Sequence, residues 1–333
     1  MRIFIAHTRL TGYGGGERAT LELAHLLSAR HEVTLLTSHY APEQTFSELT
    51  RFPLRVVPPA AWLTQSLDAD ALVAQNFGAR LLALRSRRVI AYLHTMRSRY
   101  LQGGARPDLA LRRALDRRAV RCAAYALTNS AFTAARASAA YGRTPEVLPL
   151  GADEALFDLP PRVGDYALYV GRLAPEKGVA RLLEWSATTP LALEVVGAGS
   201  ATERARLAPL SGPTTRLRGP LTGEPLARMY AGARFFAFTP YAEEFGLAAL
   251  DAMAAAKPVI AAREGALPEL VEDGVTGFLV RDAAEYQRAA ERLIADDALC
   301  LRMGLVARER ARAFSWERHA QRIEALCELV AAR

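Results

Sequence analysis

Cysteine is scarce in this chain, and so are the spacings by which cysteine builds sites. The 333 residues include three cysteines, Cys122, Cys300 and Cys327. Their number is odd and no Cys-x-x-Cys occurs, so neither a disulfide framework nor a zinc site is predicted. No Asp-x-Asp follows a predicted strand and no His/Asp/Glu cluster occurs, which argues against a divalent metal site. A reducing cytoplasm is the compartment that this composition favours.

Long apolar runs are missing as well. No stretch of 18 or more apolar residues occurs, so no membrane-spanning helix is predicted. Met1 and Arg2 lead directly into Ile3–Ala6, which is too short for a signal peptide and is predicted to be the first strand. Apolar residues make up 51% of the chain and charged residues 23%, as in ordinary globular proteins. A single core stops growing at about 250–300 residues, so two domains are expected.

The net charge of +7 is concentrated in one segment. Between Arg97 and Arg121 the chain has eight arginines (97, 99, 106, 112, 113, 117, 118 and 121) against Asp108 and Asp116. Neither interleaved aromatic residues nor a helix-turn-helix pattern accompanies them, so a nucleic-acid partner is not predicted. The segment is predicted to be either a solvated helix face beginning at Pro107 or a contact with an anionic membrane surface.

Short β-rich runs alternate with helical patterns, which predicts parallel sheets built from βαβ units. In the first half the predicted strands are 3–6, 33–36, 54–57, 72–74, 89–93, 125–128 and 147–148. In the second half they are 167–170, 193–196, 215–217, 235–238, 259–261 and 278–280. A turn-rich stretch at 158–164 reads as a linker, so we predict an N-terminal Rossmann-like domain (1–158), a second one (159–313) and a closing helix (314–333).

Several loops that follow predicted strands carry residues suited to binding an anionic ligand. An acidic loop with Glu243 precedes a helix predicted to start near Phe245, where free amides and the helix dipole attract anions. Arg172 and Lys177, five residues apart after the first strand of the second domain, suit a pyrophosphate. A carboxylate beside an anion site suits a ligand with hydroxyls at one end and phosphates at the other, such as a sugar nucleotide.

Gly14, Gly15 and Gly16 follow the first strand and open a helix, which allows close backbone approach to phosphate. As a dinucleotide fingerprint the segment fails, because Glu17 stands where the third glycine belongs and strand two ends in Thr37-Ser38-His39. A plain structural turn is the alternative interpretation.

Together these motifs resemble the retaining glycosyltransferases of family four. Glu243 and Asp251 are eight apart, as in the Glu-x7-Glu signature, although Asp251 replaces the usual second glutamate. Residues 171–178 match the family's Gly-Arg-Leu…Glu-Lys-Gly motif. Residues 265–269 resemble its Gly-Gly-x-Pro-Glu element, with Glu264 in place of the first glycine. The resemblance implies the GT-B fold, an α/β fold with two Rossmann-like domains facing across a cleft and a closing helix that crosses back.

The resemblance also implies roles for individual residues. Glu243 would hold the donor sugar and Asp251 the ribose, while Arg172 and Lys177 would bind the diphosphate. The diphosphate would also meet the backbone at two helix starts, formed by Gly14, Gly15 and Gly16 and by Phe245, Gly246 and Leu247. The nucleotide base would lie among Gly197, Gly199, Arg218 and Leu221. His94, in a segment similar to that of a mannosyltransferase branch, would contact the transferred sugar or the acceptor, or else be a structural histidine.

The predicted function is therefore transfer of a hexosyl group from a nucleotide diphosphate sugar to a hydroxyl acceptor, with retention and without a metal or other cofactor. GDP-mannose is favoured over a UDP-sugar, and the acceptor is a glycan, a lipid-linked or a small molecule. The alternatives are a nucleotide-sugar epimerase of the same fold and a non-catalytic glycosyltransferase-like subunit. His25, His31 and His319 are predicted to be structural.

Overall fold

Two α/β units make up the computed structural model, which describes residues 1–58, 61–64, 67–96 and 107–332. The first unit consists of Met1–Leu150 and Ser315–Arg333, and the second of Gly151–Phe314. In each unit helices connect parallel strands, because a parallel neighbour can be reached only through a crossover. The predicted α/β class with two Rossmann-like domains is confirmed.

The sheet of the first unit follows the predicted apolar runs closely. Its strands have the order β5-β3-β1-β6-β7-β8-β9, and β2 pairs with β4 separately. Ile3 and Ile5 of the central strand are fully buried, because helices cover both faces of a parallel sheet. The strands are β1 (Arg2–Ala6), β2 (Arg9–Leu10), β3 (Glu32–Thr37), β4 (His39–Tyr40), β5 (Leu54–Val56), β6 (Ala71–Ala74), β7 (Val89–Leu93), β8 (Tyr125–Thr128) and β9 (Glu146–Val147).

The helices of the first unit present apolar faces to this sheet. In the first of them Leu23 and Leu27 are buried and Leu26 is half-buried. The fourth helix begins at Pro107, as predicted. These helices are α1 (Gly15–Ser28), α2 (Ala61–Thr64), α3 (Phe77–Arg80), α4 (Pro107–Cys122) and α5 (Ala131–Tyr141).

The second unit repeats the plan with the strand order β12-β11-β10-β13-β14-β15. Its strands are β10 (Tyr166–Val170), β11 (Ala192–Val196), β12 (Thr215–Gly219), β13 (Ala233–Phe238), β14 (Val259–Ala262) and β15 (Gly277–Val280). Its helices are α6 (Val179–Ser186), α7 (Ala201–Leu207), α8 (Gly223–Gly232), α9 (Leu247–Ala254), α10 (Leu267–Leu270), α11 (Ala283–Ala295) and α12 (Asp297–Ala311). Because β10 lies between β11 and β13, the loops that follow these three strands are neighbours.

The two units divide earlier than the predicted boundary at 158. Residues after Leu150 belong to the second unit because the Ala152 amide donates to the Phe314 carbonyl and the Asp153 amide donates to Asp251. The predicted linker 158–164 is likewise held inside this unit, where Arg162 donates to the Ala231 carbonyl. The turn-rich residues 158–164 are therefore an irregular segment of the second unit and not a linker between the two units.

The last helix belongs to the first unit. It is α13 (Trp316–Ala331), and Ser315 caps it by accepting a hydrogen bond from the Arg318 amide. Its Glu324 accepts from Arg30 and lies 2.6 Å from the His31 ring, both at the end of α1. Nowhere in the described ranges is a helix both long and apolar enough to cross a membrane.

Candidate functional site

In the second unit, three loops at the carboxyl ends of neighbouring strands are joined by backbone hydrogen bonds. The Leu173 amide donates to the Ala198 carbonyl (2.7 Å) and the Gly197 amide donates to the Gly219 carbonyl (2.8 Å). A Cβ added at Gly197 would lie 1.8 Å from the Gly171 carbonyl oxygen, and one at Gly199 would lie 2.6 Å from Leu173 Cβ. Gly197 and Gly199 are therefore required by the close approach of these loops, beside the loop that carries Arg172.

Lys177 and Glu243 form the central contact of this candidate site. Lys177 Nζ lies 2.7 Å from Glu243 Oε2, and their side chains are 20% and 12% exposed. The Lys177 turn is pressed against the loop after β13, since a Cβ on Gly178 would lie 1.8 Å from the Thr239 carbonyl oxygen. An ammonium has three donors, so one can bind Glu243 while others bind a ligand. Partial burial makes each of these contacts stronger than it would be in open water.

Arg172 does not share this contact. Its guanidinium pairs with Glu176 at 3.2 Å and its side chain is 58% exposed. An exposed pair of this kind contributes only about 0–1 kcal/mol, so the guanidinium can turn to an anionic ligand at little cost.

The helix start predicted near Phe245 lies two residues later. Helix α9 begins at Leu247 after Gly246, which has a φ of +100° and provides no side-chain cap. The Phe245 side chain is buried and its ring meets that of Phe314 edge-on, with centroids 6.1 Å apart. Phe245 therefore packs in the core, and only the backbone at this helix start has the free amides that suit an anion.

Asp251 has a structural partner. It lies inside α9, is 5% exposed, and its Oδ1 accepts a hydrogen bond from the Asp153 amide at 3.0 Å. This contact fixes the beginning of the second unit. Because Oδ1 accepts from the Asp153 amide, the ribose contact predicted for Asp251 would have to use Oδ2 or share Oδ1.

The structure corrects the placement of Arg218. The sequence placed it in a loop, but it lies within β12, where strand alternation puts Arg216 and Arg218 on one face. Both bind Glu194 of β11, with Arg218 Nε 2.6 Å from Oε2 and Arg216 Nη1 3.1 Å from Oε1. The Arg218 hydrogen bonds lower the pKa of this buried carboxyl. Arg218 thus neutralises a core charge, whereas Leu221, beyond the strand, is half-buried.

In the first unit, the glycines lie at the beginning of α1. Gly14 is the N-cap residue, and Gly15 and Gly16 form the first helical positions. A Cβ on Gly16 would lie 3.1 Å from His7 Nε2. The Thr20 hydroxyl lies 2.9 Å from the Gly16 carbonyl oxygen and 3.0 Å from Gln75 Oε1.

Gln75 also meets His94. His94 follows β7, and its Nε2 lies 3.0 Å from Gln75 Oε1 while its ring packs on Tyr92 with centroids 4.5 Å apart. Burial lowers the pKa of His94 well below 6.5. The ring is therefore neutral at pH 7, with Nε2–H donating to Gln75 and Nδ1 left as the acceptor. The sequence contains no signal for Gln75, because a lone glutamine after an apolar strand belongs to no motif.

Acid is expected to destabilise the first unit from about pH 6.5 downward. Burial lowers the pKa of His7 and of His319 to about 4, and that of His94 in the same direction. Unfolding exposes these rings, which then bind protons below about pH 6.5. Below that pH the unfolded state therefore binds more protons than the folded state, and the free energy of unfolding falls. Urea unfolding at pH 7.5, 6.5 and 5.5 should show a falling free energy of unfolding.

His319→Gln should reduce this dependence of the free energy on pH, and the exposed His25→Gln should not. If the wild type and His319→Gln lose stability equally with falling pH, His319 is not responsible for the dependence.

Two known family models match this chain. The family model for Glycosyltransferase Family 4 matches residues 13–156, and that for Glycosyl transferases group 1 matches residues 164–296. The first match lies mostly in the first unit and the second lies within the second unit, and the chain belongs to glycosyltransferase family 4.

Curated relatives carry the name D-inositol 3-phosphate glycosyltransferase. The chain is 37% identical to the one from Corynebacterium efficiens over 174 residues, which are 47% of this chain and 41% of that protein. It is 30% identical to the one from Nocardiopsis dassonvillei over 294 residues, 77% of this chain and 66% of that protein. The chain thus spans less than half of the first relative and about two thirds of the second.

Solved structures show the same fold. Sucrose-phosphate synthase from Thermosynechococcus elongatus superimposes with a TM-score of 0.80 at 23% identity, covering 100% of both chains. Anabaena HepE in complex with UDP superimposes with a TM-score of 0.82 at 22% identity, covering 98% of this chain and 99% of that one. The fold is therefore GT-B.

Proposed function

We propose that this chain is a retaining glycosyltransferase that moves a hexosyl group from a nucleoside diphosphate sugar to a hydroxyl acceptor. The contact between Lys177 and Glu243 carries the proposal. It joins a cation and a carboxylate at the carboxyl ends of β10 and β13, where open α/β sheets bind ligands. The ammonium suits a diphosphate and the carboxylate suits sugar hydroxyls, and membership of family 4 supports this pairing.

In this proposal Lys177, Arg172 and the backbone at Gly246 and Leu247 stabilise the leaving diphosphate by charge and hydrogen bonds. Glu243 orients the donor sugar. A donor phosphate oxygen accepts the acceptor proton while the acceptor attacks the same face, so no enzymic nucleophile is required. Activity that survives EDTA would support a site that works with protein cations alone; loss restored by magnesium or manganese would contradict it.

For the first unit we propose that the amides of Gly14, Gly15 and Gly16 bind an anionic group, as helix starts do. His94 would contact a sugar or acceptor hydroxyl through Nδ1, which its neutral tautomer keeps as an acceptor. For the second unit, the backbone around Gly197, Gly199 and Leu221 would line the base pocket, without the Arg218 side chain.

Donor and acceptor are tested together. The UDP-containing structures of HepE make UDP-glucose the first donor to try, with GDP-mannose as the alternative that the segment at His94 favours. The names of the curated relatives make D-inositol 3-phosphate the first acceptor. Acceptor-dependent release of UDP or GDP would support the proposal. A new nucleotide sugar formed without acceptor would favour the epimerase, and donor binding without turnover would favour the non-catalytic subunit.

Lys177→Ala is expected to weaken nucleoside diphosphate binding by at least about tenfold, because a charge-assisted contact is worth about 1.5–3 kcal/mol. Calorimetric titration with UDP and GDP checks this, with the exposed Arg206→Ala as the matched control. Unchanged affinity would contradict the assignment.

The lysine content of the chain allows a second test of the same site. Lys177 and Lys257 are its lysines. Lys257 is fully buried and donates to the Arg162 and Ala231 carbonyls, so an amine-acylating reagent should reach Lys177 first. UDP or GDP should protect Lys177 from acylation, as read by mass spectrometry, and labelling unaffected by both nucleotides would argue against the site.

We further propose that α4 contacts an anionic membrane or a lipid-linked acceptor. Arg112, Arg117 and Arg118 are exposed on this helix beside Leu111, which is 61% exposed; Arg97, Arg99 and Arg106 lie outside the described residues. Basic residues near an anionic surface contribute about 1 kcal/mol each.

Salt-sensitive co-sedimentation with anionic vesicles is expected. Binding should fall when Arg112, Arg113, Arg117 and Arg118 become glutamine, but not when four exposed arginines of the second unit do (Arg204, Arg206, Arg228 and Arg288). If the wild-type protein does not co-sediment with anionic vesicles even at low salt, a soluble acceptor is the better proposal.

A further inference from the structure

The loop that carries Glu243 has a backbone that requires support. It runs from the end of β13 to Gly246, and Ala242 has a φ of +47°, in the left-handed region that residues other than glycine rarely occupy. Such a conformation costs of order 1 kcal/mol or more and persists only where surrounding contacts hold it. The side chains that contact its backbone here include those of Arg181 and Glu264, to which the predicted site assigned no binding or catalytic role.

Arg181 holds the beginning of the loop. It projects from α6, and its guanidinium donates to the Thr239 carbonyl at 3.1 and 2.7 Å and to the Pro240 carbonyl at 2.7 Å. The same group lies 4.0 Å from the centre of the Tyr241 ring. A planar guanidinium can make all these contacts at once, which a lysine ammonium cannot.

Glu264 links Arg181 to the strained residue. Its Oε1 accepts from Arg181 Nη1 at 2.6 Å, and its Oε2 accepts from the Ala242 amide at 3.2 Å. Two residues on, the Ala266 amide donates to the Glu243 carbonyl at 2.7 Å. The backbone on both sides of the Glu243 side chain is thus fixed by the segment 264–266 and by Arg181.

We propose that Arg181 and Glu264 are positioning residues that hold Glu243 against Lys177 for the transfer reaction. The inference rests on the proposed function of Glu243. It also explains Glu264, the residue that departs from the family's glycine, because a glycine could neither pair with Arg181 nor accept from the Ala242 amide. Neither residue is required to touch the donor.

The physical link is tested first, without any substrate. In Glu264→Gln the amide group cannot accept from both Arg181 and Ala242, and in Arg181→Lys an ammonium cannot keep all the contacts that the guanidinium makes at once. Hydrogen exchange of a peptide spanning 239–246 should be faster in both variants, at an unchanged thermal midpoint, than in wild type. Arg206→Gln, which breaks the exposed Glu203–Arg206 pair of the same unit, serves as control. Unchanged exchange in both variants would overturn the inference.

A double-mutant cycle then tests the functional link, with UDP-glucose or GDP-mannose and D-inositol 3-phosphate. Glu264→Gln should lower kcat about tenfold, since a small misplacement of a site residue has effects of this order, and should leave UDP or GDP affinity within about twofold. In a Glu243→Gln background the further loss should be under about twofold, because both changes act through one residue. The same tenfold loss in both backgrounds would overturn positioning through Glu243. A wild type that transfers no sugar would instead overturn the proposed function.

Discussion

Glu243→Gln is expected to lower turnover about a hundredfold or more, which corresponds to about 2.7 kcal/mol of transition-state stabilisation. The carboxylate lies 2.7 Å from Lys177 Nζ and is 12% exposed, so its charge acts in a partly desolvated setting. Glutamine keeps the size of the side chain and one oxygen acceptor but removes the charge. It therefore weakens the hold of this side chain on the sugar hydroxyls.

The same substitution is expected to change nucleoside diphosphate affinity by less than about threefold, because the predicted partner of Glu243 is the sugar and a neutral amide still leaves Lys177 charged. Steady-state kinetics and calorimetry on one preparation separate the two effects. Glu224→Gln, a charge removal at an exposed site of the same unit, is the matched control. If Glu243→Gln instead loses nucleotide affinity but keeps a normal kcat, Glu243 would lie at the diphosphate end of the ligand and not at the sugar end.

Arg80→Met is expected to lower the free energy of unfolding by about 3–5 kcal/mol, the usual result of removing one partner from a buried ion pair. Arg80 Nε and Nη2 lie 3.0 Å from the two oxygens of Asp116, and the side chains are 3% and 0% exposed. The Tyr141 hydroxyl donates to the same carboxylate at 2.7 Å. Without Arg80 the buried Asp116 carboxylate would lose two charge-assisted hydrogen bonds and the charge that compensates its own.

The double variant Arg80→Met/Asp116→Leu should recover most of this loss, because apolar side chains of similar size replace buried pairs well. The recovery is expected to be incomplete, since the hydrogen bond from the Tyr141 hydroxyl to the Asp116 carboxylate is also lost. Urea unfolding of wild type, both single variants and the double variant measures the coupling. A double variant no more stable than Arg80→Met would contradict the assignment of the loss to the broken Arg80–Asp116 pair.

Local pattern was enough to predict the strands of the two large sheets, though not β2 and β4, because a buried parallel strand has a short apolar run between turn residues. Tyr125–Thr128 and Val89–Leu93 were placed with their observed bounds. The local pattern was misleading at Arg218, since a charged residue near a strand end resembles a loop residue and its partner Glu194 lies on another strand. The prediction for Asp116 was wrong for a similar reason. The residue was counted with the charges of a basic segment, whereas its carboxylate lies in the core.

Chain order and residue type by themselves determined the two-unit parallel fold, the loops that follow its strands, and the choice of Lys177 and Glu243 within them. Only the tertiary structure decided which side chains meet. Lys177 reaches Glu243 across 66 residues and Arg181 reaches Glu264 across 83, because β10 lies beside β13 and the turn at Gly178 is pressed on Thr239. Such pairings depend on strand order and on the close approach of backbone segments far apart in the chain. The local period of apolar residues carries no information about either.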